Sequence, residues 1–186
     1  MISIDGDQRF EIIDTPRLKI RTLGILDLET FAQYRNLPEV WRFQAWRPKA
    51  TEEIAAFLRE NSAGVFNTAD TWYQLAICLQ NDQLIGDIGI HFLTGHTQVE
   101  IGYTIAPDYQ GCGYAYEAVL AVISFLFTGL KKRSITASVD PDNLKSIRLL
   151  EKLGFEKRAL VRQSVFIDDQ WYDDAIYELK NVKHNY

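Results

Sequence analysis

The sequence predicts a single α/β (α+β) domain: a mixed, mostly antiparallel sheet of about seven strands flanked by helices. Three observations predict it. First, three strand-like runs, at 72–79, 84–92 and 98–105, follow one another across short turns. Second, a long apolar run at 116–127 has the length of a helix and leads to another strand-like run at 134–139. Third, two long runs at 155–167 and 170–179 meet at Asp168-Asp169, the turn chemistry of a hairpin. The 186 residues suffice for one domain with a sizeable core. The domain is read as residues 1–186, with its core at 9–180.

Each element has a local reason. Leu18 to Thr22 alternates as a short strand. Asp27 is placed to cap a helix running to about Asn36, with Leu28, Phe31 and Ala32 on one face. Thr51 is placed as the cap of a second helix that ends near Gly64; Glu52 and Glu53 suit its first turn. The three central runs are joined through Asn81-Asp82 and Thr94-Gly95, so they read as a meander. Asp142 or Asn143 caps a helix ending at Leu153, with Gly154 just past its end. Residues 40–49, with Trp41, Phe43, Trp46, Arg47 and Pro48, read as an aromatic-rich loop.

Composition narrows the function. A hydrophobic fraction of 47% is that of a globular protein. A net charge of −5 argues against a general nucleic-acid binder. Cys78 lies in an apolar run and Cys112 between two glycines, which is no disulfide framework. The first ten residues lack a signal-peptide core, and the longest apolar run is too short to span a bilayer. A soluble, cytoplasmic protein without membrane or nucleic-acid partners is expected. His91, His96 and His184 are scattered without metal-ligand spacing, so no metal is expected.

The most informative segment is Gln110-Gly111-Cys112-Gly113-Tyr114-Ala115. It joins a strand to a helix N-terminus, whose first amides have no internal partner and whose dipole favours an anion. Gly111 and Gly113 let the main chain approach a ligand closely. The segment therefore predicts a phosphate-bearing ligand. A dinucleotide fingerprint would place a third glycine where Tyr116 stands, and a P-loop would need a lysine that the segment lacks.

This segment resembles the Q/R-x-x-G-x-G/A signature of the GNAT superfamily of N-acetyltransferases. The resemblance extends over nearly the whole chain. Thr15-Pro16-Arg17-Leu18 with Arg21 is similar to the opening of the branch containing ribosomal-protein N-terminal (Rim-type) acetyltransferases. Residues 84–89 and 100–103 resemble that branch's third and fourth strands. Residues 140–146 and 150–155 resemble its late helix, and Trp171-Tyr172-Asp173 with Tyr177 its closing strand.

The resemblance implies acetyl-CoA as co-substrate and direct acetyl transfer to a primary amine, on a protein N-terminus or a small molecule. It implies that the fourth and fifth strands splay apart and that the pantetheine arm lies in the gap. Gln110, Gly111, Cys112, Gly113, Tyr114 and Ala115 would then hold the pyrophosphate. Backbone groups of Tyr103, Thr104 and Ile105 would pair with the arm, while Asn143 and Ser146 would contact it near the sulfur. An ammonium cannot attack, so a base must remove a proton. Glu100, in a central strand, is the candidate base; a structural carboxylate paired with an arginine is its other reading. Many superfamily members place a tyrosine acid where this chain has Leu150. By resemblance to the Rim-type branch, Ser146 is the candidate acid at the leaving thiolate. Some branch members carry an acid where this chain has Ser164. Phe43 and Trp46 fall where the family lines its acceptor groove. Asp87 and Asp173 are candidates to attract a cationic amine, or are plain strand and hairpin carboxylates. A homodimer is compatible with the resemblance. The reading from another class is a non-catalytic acyl-CoA-binding regulatory module, which the loss of tyrosine at Leu150 leaves open.

Overall fold

The computed structural model describes residues 10–44, 47 and 49–181. Its framework is an eight-stranded sheet in the order β1-β2-β3-β4-β5-β6-β8-β7. The strands are β1 (Ile13–Asp14), β2 (Leu18–Thr22), β3 (Thr71–Leu79), β4 (Leu84–Phe92), β5 (Gln98–Ile105), β6 (Ser134–Val139), β7 (Glu156–Ile167) and β8 (Gln170–Lys180). The helices are α1 (Leu28–Arg35), α2 (Pro38–Trp41), α3 (Thr51–Ala63), α4 (Tyr114–Thr128) and α5 (Leu144–Lys152). Neighbouring strands are antiparallel except β5 and β6, which run parallel. A parallel pair needs a crossover, and α4 supplies it.

Period-two alternation sends each strand's apolar residues to two cores. Leu75 and Ile77 of β3, Ile88 and Ile90 of β4, and Val99 and Ile101 of β5 pack on the α4 side with Val119, Val122 and Leu126. Ala76 and Cys78, the alternate residues of β3, face α1 and α3 through Phe31, Ile54 and Leu58. Both faces of β3 are therefore covered around Leu75 to Cys78. By contrast, β7 at the sheet edge is exposed over most of its length.

The predicted elements are present, with local corrections. The sheet has an eighth strand, β1, whose two residues are too few to show alternation. The 40–49 region is not wholly loop, because Pro38 opens the single turn of α2. Asp27 precedes α1, but its side chain caps nothing there. It accepts from the Gly24 amide at 2.9 Å and from both terminal nitrogens of Arg21, at 2.8 and 2.7 Å. Thr51 is the first residue of α3, not its cap; Glu53 reaches back to the Ala50 amide at 3.1 Å. Helix α4 starts two residues earlier than the apolar run suggests, directly after Gly113.

Candidate active site

The Gln110–Ala115 segment forms the predicted turn. Gly111 and Gly113 have φ of +78° and +80°, a left-handed backbone that strains any other residue. A Cβ at Gly111 would meet open space. The amides of residues 111–116 donate to no other group among the described residues. They form a ready anion cradle at the positive end of α4. Gln110 is turned inward, donating to the Ile105 carbonyl at 3.0 Å.

A side chain from the far end of the sequence braces this turn. Arg17 donates from Nη1 to the Cys112 carbonyl at 3.0 Å and from Nε to Glu117 at 2.6 Å. Its guanidinium lies 4.6 Å from the Tyr114 ring centroid. The Thr15 hydroxyl also donates to Glu117, at 2.7 Å. Burial pushes the Glu117 carboxyl up, but the hydrogen bonds from Thr15 and Arg17 outweigh it and hold it below the usual carboxylate range. That pairing offsets a negative charge in the first turn of α4, where it would repel an anion.

Strands β5 and β6 pair only at Gln98–Ser134, Val99–Ile135 and Glu100–Thr136. Beyond them β5 stays with β4 as far as Ile105, and β6 stays with β8 as far as Val139. The two strands therefore diverge, leaving a cavity of about 490 Å³ between them. It is lined by β5 residues Glu100 to Thr104, by Ala137 to Asp140, and by Asn143, Ser146 and Leu150 of the α5 region.

Asn143 caps α5, its Oδ1 accepting from the Ser146 amide at 3.2 Å. The cap fixes the first turn, so Ser146 presents its hydroxyl to β5. There it meets the Tyr103 hydroxyl at 2.8 Å. Burial pushes the Tyr103 phenol up to about 12, so it stays protonated at neutral pH.

Glu100 reaches the same cavity at the point where the strands part. Burial raises its carboxyl above the ordinary value, His91 opposes the rise, and the nearby charge of Asp174 adds to it. Its partner is His91 on β4, with Nδ1 3.9 Å from Oε2, and no arginine pairs with it among the described residues. Asp174 on β8 also lines the cavity and accepts from the Ser164 hydroxyl at 2.8 Å. A carboxylate thus stands beside Ser164, on the neighbouring strand.

Comparison with known proteins decides what this arrangement is. The acetyltransferase (GNAT) domain model matches residues 17–156. The chain is 33% identical over 172 residues to the uncharacterized N-acetyltransferase YoaA of Bacillus subtilis, covering 91% of this chain and 97% of that one. The chain belongs to the GNAT acetyltransferase family. It is an N-acetyltransferase, and the family transfers acetyl groups to amines. A GNAT acetyltransferase from Bacillus anthracis superposes with a TM-score of 0.82 at 25% identity, covering 91% of this chain and 98% of its own. The ribosomal protein uS5-alanine N-acetyltransferase of Escherichia coli is 35% identical over 79 residues, 42% of this chain and 41% of its own.

Within this GNAT fold the structure brings together Glu100, Tyr103, Thr104, Asn143 and Ser146 around one cavity, and Phe43 lines it too. Trp46 lies outside the described residues. Asp87 is not available to an amine. It is fully buried and accepts from Tyr34 at 2.6 Å, from Arg35 Nε at 3.0 Å and Arg35 Nη2, and from Gln74. Asp173 lines the cavity and also holds the β7 bulge, accepting from the Gln163 amide at 2.8 Å. Sequence reasoning missed four contributors: Arg17, the Tyr103 side chain, Asp174, and Gln44. Gln44 accepts from Arg35 and donates to Thr104 Oγ1 at 2.9 Å, tying the α2 region to the splayed strand. Asp87 lies opposite Thr104 in the β4–β5 register, so both groups of this network meet on neighbouring strands.

Proposed function

We propose that this enzyme is acetyl-CoA-dependent and transfers the acetyl group directly to the primary amine of a protein N-terminus or a small molecule. The observation that carries the reading is continuity. The cavity where β5 and β6 part brings the Tyr103–Ser146 hydroxyl pair and Glu100 together, and β5 leads from it to the turn that carries the free amides of α4. The residues fit acetyl-CoA: an anion cradle at one end, an unpaired β5 edge, and proton-handling groups at the other. Gln110 to Ala115 hold the pyrophosphate, and the backbone of Tyr103 to Ile105 orients the pantetheine arm. When bound, acetyl-CoA supplies the thioester-activated acetyl group.

The remaining chemistry belongs to side chains. Glu100 accepts the proton that the acceptor ammonium must lose. Burial raises its pKa, which makes it a stronger base than an exposed glutamate. Ser146 holds a proton at the departing sulfur, and Tyr103 fixes that hydroxyl and re-supplies it. This hydroxyl pair stands in for the tyrosine that Leu150 replaces. Glu100 and Asp174 are the carboxylates that draw in a cation, and Phe43 lines the acceptor side. The enzyme and its substrates are placed in the cytoplasm.

Thiol release from acetyl-CoA, measured over a peptide library and a small-amine panel, tests the reading. Turnover with at least one primary amine is expected. Tight CoA binding without turnover on either panel would sink it.

A further inference from the structure

Each turnover must dispose of a proton. An ammonium, R–NH3+, gives an amide with one N–H; the departing thiolate takes one proton, so one is left over. In the reading above that proton sits on Glu100, inside a cavity. The neighbouring strands offer it a way out. Trp72 is opposite His91 in the β3–β4 register, and His91 is opposite Glu100 in the β4–β5 register. The three side chains form a row across three strands. His91 Nδ1 is 3.9 Å from Glu100 Oε2, and its Nε2 is 3.7 Å from Asp70 Oδ1. The Trp72 ring stacks on the imidazole with centroids 4.9 Å apart and planes 9° from parallel. The ring is thereby held edge-on between an inner carboxylate and an outer one, and Asp70 is 77% exposed.

We propose that His91 relays the proton from Glu100 to Asp70 and bulk water, so that Glu100 is reset as a base after each acetyl transfer. This rests on the assignment of Glu100 as the base. Once a side-chain adjustment closes the 3.9 Å gap to hydrogen-bond distance, Glu100 gives its proton to Nδ1; the imidazolium gives the Nε2 proton to water or to Asp70, and exchange with solvent restores the Nε2–H tautomer. No oxidant or further reactant is needed. The groups facing this path are few. Asp174 of β8 faces Glu100, while Asp70 and the Trp72 ring face His91. His91 acts through Glu100 and is a positioning residue for the proton.

The test is His91→Gln, with Asp70→Asn as an exposed companion that leaves the fold alone. His91→Gln should lower kcat roughly tenfold, less than the 10²–10⁴-fold attributed to a general base itself. KM for acetyl-CoA should be unchanged, and added imidazole should restore the rate in proportion to its concentration. Asp70→Asn should show a smaller loss with the same rescue. A wild-type rate in His91→Gln, or a loss that imidazole does not touch, overturns the relay. A second readout needs no turnover. The pH dependence of the His91 ring signals in NMR should change in Glu100→Gln and in Asp70→Asn. Signals that do not move overturn the relay even where acetyl transfer is intact. Absence of amine turnover in the wild type, with the ring signals coupled, would fault the catalytic reading instead.

Discussion

The two ends of the proposed site are built by different means. At the proposed anion end the available groups are backbone amides, held by two left-handed glycines and a helix N-terminus within six consecutive residues. At the proposed acceptor end they are side chains from separate elements: Phe43 and Gln44 after α2, Glu100 on β5, and Asp174 on β8. Backbone recognition tolerates sequence change so long as the turn survives. Side-chain recognition changes with each substitution. One fold can therefore keep its acetyl donor while its acceptors diverge.

The contrast can be broken by mutation. The largest effect is expected for Glu100→Gln, a kcat loss on the order of 10²–10⁴-fold with KM for acetyl-CoA unchanged. The acid limb of the pH–rate profile should disappear with it; a retained limb removes Glu100 from the base role. The same variant carries a stability signature. The folded pKa of Glu100 lies above its ordinary 4.5, so ionisation costs stability. That cost is absent below the unfolded pKa and grows as pH rises through the folded one. Glu100→Gln should therefore melt above the wild type at neutral pH, and alike below about pH 4; calorimetry at the two pH values checks the sign.

Asp87→Asn comes next. It removes one side of the buried Arg35–Asp87 ion pair, which typically costs about 3–5 kcal/mol, readable as a lower urea midpoint. CoA affinity of the folded fraction should hold, and an equal fall there would mean that the two ends are not separable. Gly113→Val should weaken CoA binding by at least about 100-fold, since the left-handed backbone strains a β-branched residue. Isothermal titration reads this directly. Tyr103→Phe is expected to have the smallest effect: about a tenfold loss of kcat, the worth of one hydrogen bond to Ser146, with no change in CoA affinity.

The same contrast explains what was legible. Gly111, Gly113, Asn143 and Gly154 could be read because each acts within a few residues of itself. Strand limits for β4, β5 and β6 followed from alternation and turn residues. Arg17 on Glu117, Gln44 on Thr104 and Trp72 on His91 could not be read, because each depends on a register or a docking between segments far apart in the chain. Asp27 misled because its sequence position suits a cap equally well, and only the approach of Arg21 decides where its carboxylate goes. Two residues of β1 and four of α2 carry about one period of their patterns, too little to show a repeat.

The brace from Thr15 and Arg17 to Glu117 has a thermodynamic consequence. It joins the edge strands β1 and β2 to the anion turn across 100 residues of sequence. Whatever binds at that turn and favours its braced form must, by linkage, also favour the docked edge. Ligand occupancy would then slow deuterium uptake in the first two strands, far from any atom the ligand touches, and loosening that edge would lower affinity by the same free energy.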